Sequence, residues 1–149
     1  MVKKILRPRH SIRGGISASE IEAAYKKTFK VGFWNKWLFG YGDIKLADQT
    51  YRETILADIK DMLLQDKTDQ ELYVTEDFDC DDFAFALMGV FHKDRITAAM
   101  PIFITWVLTE MGGHALLSFY YKGEVIMIEP QTDELFFPPL NWKLILVCG

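Results

Sequence analysis

The strongest constraint on this chain is a change of pattern at Pro101. Before it, apolar residues recur at helical spacing. After it, they form runs dense in β-branched and aromatic side chains, the composition of buried strands. Ile102 to Thr109 predicts one strand, Gly112-Gly113 breaks the pattern, and His114 to Tyr121 predicts a second. Lys122-Gly123 reads as a two-residue turn into a third strand, Glu124 to Glu129. Pro130, Pro138 and Pro139 bound a connection, and Trp142 to Cys148 closes the chain as a fourth strand. Upstream, Ser17 with Glu20 and Ser19 with Glu22 make two overlapping capping boxes, which predict a helix through Thr28. Tyr51, Ile55, Ile59, Met62 and Leu63 predict a second helix between Asp48 and Gln65. Phe83, Leu87 and Val90 predict a third, from about Asp79 to Phe91 or His92. Helices first and strands last give an α+β class: N-terminal helices packed against a C-terminal antiparallel β-sheet.

A length of 149 residues fits one domain over 1–149, and 50% hydrophobic residues are enough for its core. Charge is unevenly spread under a net of −4. Lys3, Lys4, Arg7, Arg9 and Arg13 fall in the first 13 residues, and every Asp and Glu lies beyond them. Residues 1–15 therefore read as a solvated basic arm on an acidic body, a balance that argues against a nucleic-acid partner. No apolar run approaches the roughly 20 residues that span a bilayer, and the N-terminus lacks the apolar segment of a secretory leader. A soluble cytoplasmic protein without a membrane partner is expected. Cys80 and Cys148 cannot make a zinc ribbon or a disulfide framework. The acidic run at residues 79–82 is not an EF-hand loop, and His-Glu-x-x-His is absent, so neither metal nor cofactor is expected. His10 and His92 show no partners in the sequence and read as surface residues.

Two regions could carry function. The first is the aromatic stretch Phe29, Phe33, Trp34, Trp37, Phe39 and Tyr41, punctuated by Gly32, Gly40 and Gly42. Such rings usually pack under a loop, the reading favoured here; the competing one makes Phe33, Trp34 and Trp37 a binding surface. The second region combines Cys80 with the later strands. A cysteine at a helix start can use the orphan backbone N–H groups and the helix dipole to favour thiolate, while Asp79, Asp81 and Asp82 oppose a second anion. The Lys122-Gly123 turn pairs Tyr121 with Glu124; carried along the ladder, it sets Glu129 opposite Leu116 and Gln131 opposite His114. His114, Glu129 and Gln131 then share one face, while Ala115, Leu117, Phe119, Ile126 and Ile128 make the other face apolar. Cys80, His114 and Glu129 supply a nucleophile, a base and an orienting carboxylate, with Gln131 as the alternative orienter.

Asp79-Cys80-Asp81-Asp82-Phe83-Ala84 resembles the acidic "DCEDYA"-type segment of bacterial transglutaminase-like cysteine proteinases, and Gly113-His114-Ala115 resembles their "GHA" histidine strand. The resemblance to this transglutaminase-like and papain-like cysteine hydrolase superfamily covers roughly residues 76–131. It departs from the family in placing Glu129 where an aspartate or asparagine is usual. It implies a papain-like core, with a catalytic-type helix and antiparallel sheet over 76–149. It also implies a cysteine-dependent hydrolase or acyl transferase acting on the amide bond of a peptide or similar substrate. The alternative is a catalytically inert binding module for a glycan or peptide on the same scaffold.

Overall fold

The computed structural model describes residues 15–149, so all but the last residue of the basic arm lies outside the description. In chain order the elements are β1 (Ile16–Ser17), α1 (Ala18–Thr28), α2 (Phe33–Phe39), β2 (Asp43–Lys45), β3 (Thr50–Tyr51), α3 (Leu56–Gln65) and α4 (Cys80–Lys93). β4 (Ile102–Thr109), β5 (Gly112–Tyr121), β6 (Glu124–Glu129), β7 (Glu134–Phe136) and β8 (Lys143–Cys148) follow. Six strands form a mixed sheet in the order β2-β8-β4-β5-β6-β7, and β1 pairs with β3 in a separate two-stranded ribbon. No helix among the described residues is long and apolar enough to cross a membrane.

Local chemistry explains the parts that match expectation. Ser17 caps α1 by accepting the Glu20 N–H at 3.2 Å. α4 begins at Cys80, with the Asp82 carboxylate accepting the Asp79 N–H at 3.3 Å. Lys122 and Gly123 take φ values of 49° and 89°, the double left-handed turn that matches strand twist, and Tyr121 pairs with Glu124 as the turn requires.

The fold class itself needs correction. The sheet is not a purely antiparallel C-terminal layer. Its edge strand β2 comes from the N-terminal half and runs parallel to β8, pairing Lys45 with Cys148. Helices also cover both faces. On one face Ile21 and Tyr25 of α1 pack with Phe103, Val107, Leu116, Val125, Met127, Leu144 and Val147. On the other, Ala84, Leu87 and Phe91 of α4 and Ile59 and Leu63 of α3 pack with Ile104, Ala115, Leu117, Phe119 and Ile128. Burial of β4 and β5 on both sides is why their sequences are continuous apolar runs and not an alternation. The helix expected from Asp48 starts only at Leu56, because Thr50 and Tyr51 are taken by the ribbon. The architecture is therefore a β-rich mixed sheet with helices on two sides, not a papain-like core.

One polar chain runs through the apolar layer. Tyr25 Oη meets Ser118 Oγ at 2.5 Å, and Ser118 Oγ meets Thr105 Oγ1 at 2.6 Å. Each buried hydroxyl thus has a partner, and burial holds the Tyr25 hydroxyl well above the usual phenol range.

Candidate functional site

The end of the sheet where β5 begins and β6 finishes opens into a cleft of about 780 Å³, whose lining includes Cys80, His114, Glu129 and Gln131. His114 Nε2 lies 2.7 Å from Glu129 Oε2. An ionised carboxylate only accepts, so Nε2 carries the proton of this bond and Nδ1 is the ring's second nitrogen. Glu129 Oε1 accepts the backbone N–H of Gln131 at 3.3 Å. Gln131 therefore steadies the carboxylate through its main chain, while Glu129 orients the ring. The sequence registry had these residues on one face, and the strand pairing continues it as far as Leu117 with Ile128.

Cys80 sits differently. It lies partly buried against the α4-side core, whereas the alternation of β5 and β6 places His114 and Glu129 with Leu116 and Met127, on the α1 side. Thiol and imidazole both line the one cleft. No hydrogen bond joins Cys80 Sγ to His114 among the described residues. Cys148, the other thiol, is pushed up by burial.

The acids around Cys80 divide one proton unequally. A hydrogen bond from the Asp81 side chain holds the Asp79 carboxyl below the usual range, and the same contact raises that of Asp81. Donor atoms of Asp79, Cys80 and Asp81 lie within 4.8 Å of one another and, among the described residues, are the group that could hold a cation. Asp79 Oδ1 is buried without a hydrogen-bond partner among the described residues.

The sequence reading missed most of the cleft wall. Tyr73, Phe136 and Trp142 supply rings, and Glu110, Glu134 and Asn141 supply polar atoms. Trp142 packs edge-on against Phe136 at 5.8 Å, and Asn141 Nδ2 donates to Glu110 Oε1 at 2.8 Å. These residues come from three separated segments whose meeting depends on β7, a strand of only three residues. Of the aromatic stretch, Phe29 is buried in the α1-side core as expected, but the rings of α2 are not. Phe33, Trp34 and Trp37 of α2 are 76, 66 and 70% exposed, and pack on one another instead of under a loop. His92 is exposed, with Nδ1 3.1 Å from the Met88 carbonyl; His10 lies outside the described residues.

Asp133 lies in the turn that joins Glu129 to β7, with φ 58° and its N–H donating to the Glu129 carbonyl at 2.8 Å. Burial, then the charges of Asp69 and Asp66, push its carboxyl up to about 6. The folded state thus binds more protons than the unfolded state between about pH 4 and 6, and stability falls as pH rises through that window. The cost is absent below about pH 4 and complete above about pH 6. Asp133→Asn, which tolerates the left-handed backbone, is expected to stabilise the protein at pH 7.5 by about 1 kcal/mol after allowance for solvent screening, and to do nothing at pH 4. Thermal melts of both proteins at the two pH values check this.

The chain matches no protein-family model and no curated protein. Its fold is similar to several solved structures. One is a PSL1a–E64 complex, with a TM-score of 0.74 and 18% identity over 91% of this chain and 51% of that one. Another is Polyporus squamosus lectin bound to the human-type influenza-binding epitope Neu5Acα2-6Galβ1-4GlcNAc, with a TM-score of 0.71 and 18% identity over 91% and 49%. The chain spans about half the length of these neighbours, and at this identity the likeness shows a shared fold. It corrects the resemblance drawn from the sequence. The neighbour named by type is a lectin, and no family model or curated protein supports a transglutaminase-like or papain-like cysteine hydrolase. Two short motifs suggested that superfamily because an acidic helix start and a Gly-His strand are both local features; neither fixes what surrounds it.

Proposed function

We propose that the chain is a binding module whose ligand, a neutral glycan, lies in the cleft at the end of the sheet. The observation that carries this reading is the composition of its wall. Rings of Tyr73, Phe136 and Trp142 stand beside the hydrogen-bonding groups of Glu110, Glu129, Gln131 and Asn141. Flat apolar faces flanked by convergent polar atoms suit a sugar, which has C–H faces and a rim of hydroxyls. His114–Glu129 is then a fixed polar element of the wall. The lectin neighbour's glycan ligand supports the class. It does not support the acidic sugar, because Glu110, Glu129 and Glu134 line the cleft without a lysine or arginine. Titration with Galβ1-4GlcNAc, followed by NMR, tests the reading. Saturable shifts at Trp142 and Gln131 with a dissociation constant near 1 mM or tighter are expected. The sialylated trisaccharide is expected to bind at least about fivefold more weakly, a difference of roughly 1 kcal/mol. Shifts confined to other surfaces, or none, contradict it.

One specific observation favours a second reading. Cys80, at a helix start, shares the cleft with an imidazole already oriented by a carboxylate. If His114 Nδ1 takes the thiol proton, the sulfur can form a bond to an amide carbonyl carbon. Imidazolium returns the proton to the departing amine, and water or another amine then takes the acyl group from the sulfur. This requires the two side chains to meet within the cleft. Alkylation of Cys80 separates the readings: the second needs His114→Ala to slow it at least about tenfold, and the first needs no change.

A further inference from the structure

We propose that α2 is a docking element for an anionic lipid surface. The observation that carries this is an apolar helix held out into solvent within a purely basic segment. Between Lys26 and Gly42 the sequence contains no acid and, besides Lys26, which pairs with Glu22 at 2.6 Å, it contains Lys27, Lys30 and Lys36, in a chain whose net charge is −4. The helix in its middle exposes Phe33, Trp34, Trp37, Leu38 and Phe39, each by 55–76%. These side chains do not close onto the core; Trp34 packs edge-on to Phe33 at 5.9 Å and to Trp37 at 6.1 Å. The lobe is pinned at its base. Val31 N–H donates to Lys26 O at 2.9 Å and Gly42 N–H to Leu144 O at 2.7 Å. Gly42, with φ 85°, sits so close to Val31 that a Cβ there would lie 2.4 Å from Val31 Cγ1. The rings are therefore presented by a closed, tied loop.

A membrane-spanning segment is a different thing, and none is needed. A helix lying in the headgroup region uses tryptophan and phenylalanine on one side and lysines around them. Lipid is the occupant that both features favour. Apolar rings find the acyl boundary, and the lysines find anionic headgroups. A second copy of the same lobe would bring like charges together. The proposal concerns a surface separate from the proposed glycan-binding function and does not depend on it.

Flotation with vesicles of phosphatidylcholine alone and with about 30% phosphatidylserine tests it, at low and high salt. The protein is expected to float with the anionic vesicles at least about tenfold more strongly than with neutral ones, and to release as salt rises. Trp34→Ala/Trp37→Ala, and separately Leu38→Glu, should each lose most of this partition while retaining the wild-type circular dichroism spectrum. Equal binding to both vesicle types overturns the proposal, as does binding unchanged in both variants. So does self-association of the wild type without vesicles that the variants abolish, which would assign the lobe to a second copy.

Discussion

Phe103→Ala is expected to lower the stability of the protein by about 3–5 kcal/mol, the largest single-residue loss in the α1-side core. Phe103 is fully buried in the second position of β4, opposite Ser118. Its ring meets Tyr25 edge-on at 6.0 Å and Tyr51 edge-on at 5.4 Å. It thus joins α1, the two-stranded ribbon and the central sheet. Its Cδ1 also lies against the chain end, 3.2 Å from where a Cβ of Gly149 would stand. Removing the ring leaves a cavity between elements that are themselves rigid, and collapse around it would require α1 to shift relative to β4. Tyr25 cannot follow the void easily, because its hydroxyl is tied to Ser118. Phe103→Leu keeps most of the volume and is expected to cost under about 1.5 kcal/mol. Urea denaturation of the three proteins gives the comparison through their midpoints, and a loss below 1 kcal/mol for the alanine variant would show that the three elements do not depend on this ring.

Much of the central sheet was legible because its signals are local or short-range. Dense runs around Ile104 and Leu117 announce doubly buried strands, and Lys122-Gly123 fixes a hairpin register that also brings Glu129 to His114. α1 and α4 were legible through Ser17 and the acidic start before Phe83. What failed has a common cause. β2 has three residues, Asp43-Ile44-Lys45, too few to show a period, and it gains strand geometry only by pairing with β8 about a hundred residues later. β7 is as short, and without it the positions of Phe136 and Trp142 on the cleft wall could not be read. The site was half legible for the same reason. Registry places His114 beside Glu129, but it says nothing of which face α4 covers. That fact decides how Cys80 is placed relative to the imidazole. The exposed rings of α2 were misread because composition alone cannot separate an apolar cluster under a loop from one held above it.

The second large effect is expected at Trp142. Trp142→Ala should weaken Galβ1-4GlcNAc binding at least about tenfold, the loss typical of removing one aromatic anchor from a small site. The indole stands just before β8, half-buried and braced by Phe136, so its orientation is set before ligand arrives. Stability should change less than binding, because one side of the ring faces the cleft. Trp142→Phe, which keeps a ring face, should recover part of the affinity, and a merely structural role would not show that order. Equal affinity in the alanine variant would move the ligand elsewhere.

The account rests on the cleft being the place that ligand occupies, and Cys80 on its rim is a built-in reporter. The direct measurement is the rate of iodoacetamide alkylation at Cys80 with and without saturating Galβ1-4GlcNAc, read by peptide mass spectrometry against Cys148 in the same molecule. Occupancy predicts that the sugar slows Cys80 at least about fivefold, as expected for a site almost fully occupied, and leaves Cys148 unchanged. Equal rates at Cys80 with and without the sugar would contradict it.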